Sequence, residues 1–230
     1  MQSLDNPFHI HLLGDHAILI KLSKGLNGGI DRDLLTLAAF IKEQKIQGVK
    51  DIILAYDNLT LVYDILDFDS NPYLYVNQLV ANFIAEASNH NAPNSASRLI
   101  EVPVCYDPSL GIDLEAAAKI ANCNIEALIQ EHTAHIYTVY CLGFLPGFAY
   151  MGDVPKKIQL PRHPQPRATV VAGSVGIAGK QTGIYPTVSP GGWQIIGRTP
   201  IKIFDTIKLS LFKAGDQVNL IPLTWHCFMN

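Results

Sequence analysis

Three arginines are the first candidates for chemistry: Arg162 and Arg167, which bracket the stiff run His163-Pro-Gln-Pro166, and Arg198, which follows Trp193 to Gly197. A guanidinium offers paired donors in one plane, the geometry that suits a carboxylate or a phosphate. Nearby in sequence stand Gln181, Thr182 and Tyr185 after a glycine-rich turn, and the loop Ser189-Pro-Gly191-Gly192-Trp193. Gly- and Pro-dense loops serve a site where backbone must approach a small ligand and hold its shape. These residues are therefore expected to converge on a small anionic substrate. Any single arginine, Arg198 above all, could instead serve a structural pair with a carboxylate or a carbonyl.

Other chemistries find less support. Gly173 to Lys180 approaches a phosphate-binding loop, but Ser174 stands where its first glycine belongs and Gln181 follows the lysine. It is a near miss, and Gly176 and Gly179 read more simply as turn residues. Cys105, Cys123, Cys141 and Cys227 stand alone, with no C-x-x-C pair and no histidine at metal-ligand spacing, so no metal is expected and all four read as ordinary buried thiols. No Ser/His/Asp order or paired carboxylates stand out, which leaves catalytic residues unassigned.

The formal net charge is only −3, yet residues 1–155 carry 8 Lys and Arg against 18 Asp and Glu, whereas residues 156–213 carry 9 against 1. A basic island of this kind fits a small anionic ligand or an acidic partner surface. Nucleic acid is disfavoured, because the cations are spread among prolines and glycines without interleaved aromatics. No apolar run of about 18 residues exists to span a membrane, and the first fifteen residues lack a basic region followed by an apolar stretch. A cytoplasmic location is expected.

The elements that must position these groups fall into two sets. His9 to Leu13 and Ala17 to Leu22 read as strands about Gly14-Asp15, and Ile30 to Gln44 as an amphipathic helix. Asp51 to Tyr56 and Leu59 to Ile65 form a hairpin across Asp57-Asn58, and Pro72 to Ala87 a second helix. That order, ββαββα, implies a small α+β sandwich over residues 1–90. The polar run from His90 to Ser97 is a linker by composition. From residue 98 onward, a strand (Arg98 to Cys105) precedes two short helices, Asp113 to Ala121 and Asn124 to Glu131, each opened by a capping-type residue. Short β runs then alternate with Gly/Pro turns (Tyr137 to Cys141, Thr169 to Val171, Trp193 to Ile196, Ile201 to Phe204, Gln217 to Leu220), the pattern of a closed or nearly closed barrel over 98–230.

Four stretches in fixed order carry a resemblance: Tyr140 to Gly152 (YCLGFLPGFAYMG), Leu160 to Arg167 (LPRHPQPR), Ala172 to Pro186 (AGSVGIAGKQTGIYP) and Ser189 to Pro200 (SPGGWQIIGRTP). The chain resembles the KipI/PxpB family, which includes the 5-oxoprolinase B subunits, the first subunit of allophanate hydrolase and part of the carboxyltransferase region of urea carboxylase. The resemblance implies a cyclophilin-like β-barrel for the second domain. It implies a subunit that joins C-type and A-type partners to open 5-oxoproline to glutamate with ATP hydrolysis, ATP being used by the complex and no nucleotide motif lying in this chain. It also admits an inhibitor of a sensor histidine kinase or a urea carboxylase-related subunit. His132 and Tyr137 recur in the family pattern as H-x-x-x-x-Y, and a satisfied structural histidine is the expectation for His132.

Overall fold

The computed structural model describes residues 7–23, 32–68, 71–87 and 97–229. The chain divides into two compact units, Met1–Ala96 and Ser97–Asn230. The expected linker lies outside the described residues except for Ser97.

The first unit runs β1 (Phe8–Leu13), β2 (Ala17–Leu22), α1 (Arg32–Glu43), β3 (Val49–Ala55), β4 (Asn58–Tyr63) and α2 (Pro72–Ala87). Its antiparallel sheet has the order β1-β2-β4-β3. Alternation along β4 sends Leu59, Leu61 and Tyr63 into a core shared with Leu34, Leu37 and Ile41 of α1 and with Val76, Val80 and Phe83 of α2. The expected hairpin forms with its turn one residue earlier. Ala55 pairs with Asn58, and Tyr56 takes the left-handed conformation at φ 47°. The reason is register: Asn58 also pairs with Lys21 of β2, and Leu22 N–H donates to the Asp57 carbonyl at 2.9 Å, which fixes Leu59 on the buried face.

The second unit opens with β5 (Leu99–Cys105), α3 (Leu114–Ile120) and α4 (Ile125–Thr133), followed by β6 (Ile136–Leu142) and β7 (Ala149–Gly152). Next come β8 (Arg167–Val170), β9 (Ser174–Ala178), β10 (Gln181–Ile184), β11 (Ser189–Gly191) and β12 (Gln194–Arg198). The chain ends with β13 (Phe204–Asp205), β14 (Leu209–Ser210), β15 (Gln217–Leu223) and α5 (Trp225–Met229). Seven strands close a barrel in the order β10-β7-β6-β15-β5-β12-β9, with β9 bonded back to β10. β15 lies parallel to β5 along its whole length, and at that seam Arg98 pairs with buried Asp216.

Expectation and structure part at three points here. The stretch expected as a strand from Ile201 to Phe204 is strand only at Phe204: Ile201 is a bend whose N–H turns back to the Thr199 hydroxyl at 3.2 Å beside Pro200, leaving only the β13–β14 pair. Asn124 caps α4, accepting from Ala127 N–H at 2.7 Å, but the Asp113 carboxylate makes no cap bond to α3. Cysteine burial is also uneven: Cys105 and Cys141 are buried, Cys123 is half-buried and Cys227 is exposed.

Inside the barrel sits a closed polar chain. The Thr182 hydroxyl donates to the Gly176 carbonyl at 3.1 Å, so it must accept from His132 Nε2–H at 2.8 Å. His132 Nδ1 then accepts from the Tyr106 hydroxyl at 2.9 Å, and Tyr137 donates to the His132 carbonyl at 2.8 Å. Burial pulls the His132 imidazole down to about 3 from an ordinary 6.5, so it stays neutral. His132 is the satisfied structural histidine expected from its pattern.

Both cores can be tested by unfolding. Expressed alone, residues 97–230 should give a β-rich circular dichroism spectrum and one cooperative melt, because their core is self-contained; a non-cooperative melt would show that the first unit is required. As pH falls from about 6.5 towards 3, the unfolded chain binds a proton at His132 that the native state refuses, so stability is lost across that window and fully present above it. Urea midpoints at pH 7 and pH 4.5 should therefore fall more steeply for the wild type than for His132→Asn, and equal slopes would refute the assignment.

Candidate functional site

A cleft of about 320 Å³ opens on the outside of the barrel, within the size range of small-ligand sites. Its floor is aromatic. Phe148 stands edge-on to Tyr150 (4.9 Å between centroids), Tyr185 (5.3 Å) and Trp193 (5.3 Å). Phe148 immediately precedes β7 and Tyr150 lies within it, Tyr185 follows β10, and Trp193 joins β11 to β12. Close approach is permitted at Gly191, where a Cβ would lie 2.4 Å from the Tyr185 hydroxyl oxygen. Burial pushes the Tyr185 and Tyr150 phenols up, so both remain protonated donors.

One wall is basic. Residues 161–163 are stitched to the β11–β12 loop: His163 N–H donates to the Gly192 carbonyl at 2.8 Å, and Gln194 Nε2 donates to the Pro161 carbonyl at 2.9 Å. This holds the Arg162 guanidinium over the Trp193 ring, 6.0 Å from its centroid. Arg162 makes no ion pair among the described residues, whereas Arg167 is bound to Asp113. The Asp113 carboxylate accepts from Arg167 Nη2 and from Ile195 N–H at 2.7 Å, and its Oδ2 lies 3.3 Å from His163 Nε2. That last contact is within ion-pair reach but too far off axis to be a hydrogen bond, so the buried Nε2 has no hydrogen-bond partner among the described residues.

The structure thus brings Arg162, Tyr185, Gly191, Gly192 and Trp193 to one cleft and distributes the other expected residues elsewhere. Arg167 stands behind the wall in its ion pair. Ser189 is buried, its hydroxyl donating to the Pro190 carbonyl at 3.1 Å. Gln181 is half-buried in the barrel wall, paired with Gly152 and Ala178. Thr182 points into the barrel towards His132, away from the cleft. Arg198 donates to the Ala172 carbonyl at 2.9 Å and lines a separate groove with Ser109 and Thr169; it takes the structural role open to it from the sequence. The near-miss phosphate loop is a hairpin. Gly176 lies inside β9 and not in a turn, while Gly179, at φ +58°, turns the chain and donates its N–H to the Leu160 carbonyl at 2.6 Å. Amides engaged in this way cannot cradle a phosphate.

The comparisons with known proteins agree with one another. Residues 8–211 match the family described as carboxyltransferase domain, subdomain C and D. The 5-oxoprolinase B subunit of Bacillus subtilis (strain 168) is 38% identical over 226 residues, covering 94% of this chain and 93% of that protein. The chain belongs to the KipI/PxpB family. A second member, the 5-oxoprolinase B subunit of Haemophilus influenzae, is 41% identical over 188 residues, covering 80% of this chain and 85% of that protein. Among solved structures, TTHA0988 superposes with a TM-score of 0.78 at 31% identity over 90% of this chain, which spans only 40% of that longer chain. Among the described residues, no helix of this family member is long and apolar enough to cross a membrane.

Asp113, Phe148 and Tyr150 do not stand out from the sequence as site residues, whereas His163 is visible there beside Arg162 as a candidate for proton exchange. Asp113 resembles a helix cap in sequence, and only the fold reveals that its carboxylate turns away from α3. The phenylalanine and tyrosine lie in the family stretch 140–152, where nothing in the sequence alone assigns them a role. Gly191→Ala should force the new methyl against Tyr185 and cost about 1 to 3 kcal/mol of stability; an unchanged melting temperature would show that the aromatic floor is looser than drawn.

Proposed function

We propose that this chain is the B subunit of an ATP-dependent 5-oxoprolinase, an amidohydrolase that opens 5-oxoproline to L-glutamate in a complex with A-type and C-type subunits. The observation that carries the reading is Arg162, an arginine without an ion pair among the described residues, fixed over Trp193 at the mouth of an aromatic cleft. A small cyclic amide bearing one carboxylate matches that cleft in two ways. Its carboxylate meets the free guanidinium fork, and its flat ring meets the faces and edges of Trp193, Phe148 and Tyr150. The relatives named as B subunits of 5-oxoprolinase align over most of their length with this chain, and their name points to partner subunits. ATP is assigned to the complex, since the hairpin at Gly173 to Lys180 has its backbone engaged in strand pairing.

The decisive experiment mixes the purified chain with its A-type and C-type partners and follows ATP-dependent glutamate release from 5-oxoproline, with sensor-kinase autophosphorylation as the competing assay. Release by the mixture and none by the chain alone is the expected result; inhibition of the kinase without release would overturn the reading. Within that complex, Arg162→Ala should remove one charge-assisted contact, about 1.5 to 3 kcal/mol, and lower kcat/KM roughly 10 to 150-fold while the melting temperature and subunit co-purification hold. Normal kinetics in a stable, assembled complex would move the site away from Arg162.

A further inference from the structure

Asp113 and His163 offer more than anion binding requires. His163 brings an imidazole to the lining of the cleft. Its Nε2 is sealed from solvent and faces Asp113 Oδ2 at 3.3 Å, while its Nδ1 makes no hydrogen bond among the described residues. The carboxylate is itself held by Arg167 and by Ile195 N–H, so it is a fixed reference for the ring. Nε2 lies 3.3 Å from that carboxylate but off the hydrogen-bond axis, and the nearby negative charge favours the proton on this nitrogen, which leaves the lone pair on Nδ1. The imidazole faces Asp113 ahead of α3, whose carboxylate also holds Arg167 of β8, and it shares the cleft with Arg162, Tyr150 of β7 and Tyr185 after β10. A base oriented by a carboxylate, with a guanidinium next to it to hold an anionic substrate, is an arrangement for removing a proton.

We propose that His163 is a catalytic base of this cleft and that Asp113 is its positioning residue. The proposal rests on the 5-oxoproline reading. With the substrate carboxylate on Arg162, His163 Nδ1 takes the proton from the lactam nitrogen. The N–H electron pair moves into the ring C–N bond, and the carbonyl oxygen gains the charge that makes it a nucleophile for the γ-phosphorus of ATP. An O–P bond forms, the bond from that phosphorus to the bridging oxygen breaks, and ADP leaves. The new imidazolium stands opposite Asp113.

In the reconstituted complex, His163→Gln should lower kcat by about 10²- to 10⁴-fold and abolish the acidic limb of the pH profile, with KM and co-purification little changed. Asp113→Asn should lower kcat with KM little changed and shift the His163 ring away from the Nε2–H tautomer, because the charge that orients it is gone; a merely structural role for Asp113 would leave the tautomer in place. Should Asp113→Asn fail to fold, His163→Gln carries the test. Nitrogen-15 spectra of the free full-length chain give an independent reading: the His163 ring should be the Nε2–H tautomer. If the wild-type complex releases no glutamate while that tautomer is seen, the 5-oxoproline reading fails and the Asp113–His163 pair stands. If the complex turns over and His163→Gln turns over at the wild-type rate, the base assignment fails and the reading stands.

Discussion

The buried carboxylate of Asp113 joins four parts of the second unit. It precedes α3, accepts from Arg167 at the start of β8, accepts from Ile195 N–H of β12 and faces the ring of His163. The backbone takes part as well, since Asp113 N–H donates to the Ile195 carbonyl at 2.8 Å. β12 is bulged against β9 between Ile195 and Gly197, and the carboxylate takes the N–H of Ile195 at that bulge. Burying a carboxylate is costly unless donors replace its water, and here a guanidinium and a backbone amide do so. Removing it would leave Arg167 partly buried without a counter-charge, a loss typically of about 3 to 5 kcal/mol.

The aromatic floor depends on the same anchorage through β12. Trp193 immediately precedes that strand, and its place over Phe148 and Tyr150 is set by the strand's fixed register on β9. Gly183 marks how closely the layers meet: a Cβ there would come within 2.9 Å of the Ala149 carbonyl and 3.0 Å of the Phe148 ring. Such packing tolerates little rearrangement. It supplies the rigid platform on which two or three polar groups can be aimed. The polar chain from Tyr106 through His132 to Thr182 belongs to the barrel interior, and its satisfied hydrogen bonds make it scaffold.

What is legible in the sequence follows the physics of locality. Alternation along β4 and the capping side chain of Asn124 act within a few residues, and both are readable directly. The turn at Tyr56-Asp57 is displaced by one residue from its expected place because pairing with β2, far away in sequence, decides the register. Asp113 resembles a cap and is not one for the same reason: its partners lie 54 and 82 residues further along the chain. Thr182 and Arg198 sit in segments dense with site-like residues, yet strand alternation sends Thr182 inward, and a carbonyl of the β8–β9 connection claims Arg198. Composition can place residues near a site, but only pairing across the barrel decides which face each one presents.

Several cations of the basic island from residue 156 to 213 are already engaged by partners within the second unit. Lys157 pairs with Glu131, Lys202 with Asp205 and Arg167 with Asp113, and Arg198 is spent on a carbonyl. Exposed lysine pairs of this kind contribute little to stability. Arg162 differs in having an aromatic face below it and no ion-paired carboxylate among the described residues. That position favours arginine over lysine. A planar guanidinium can lie against Trp193 and still present its fork to a ligand, whereas an ammonium held over the ring would remain a hydrated point charge without a preferred direction. The charge asymmetry visible in the sequence therefore acts at the cleft through one side chain, while Arg167 and Arg198 are engaged in holding the loops beside it.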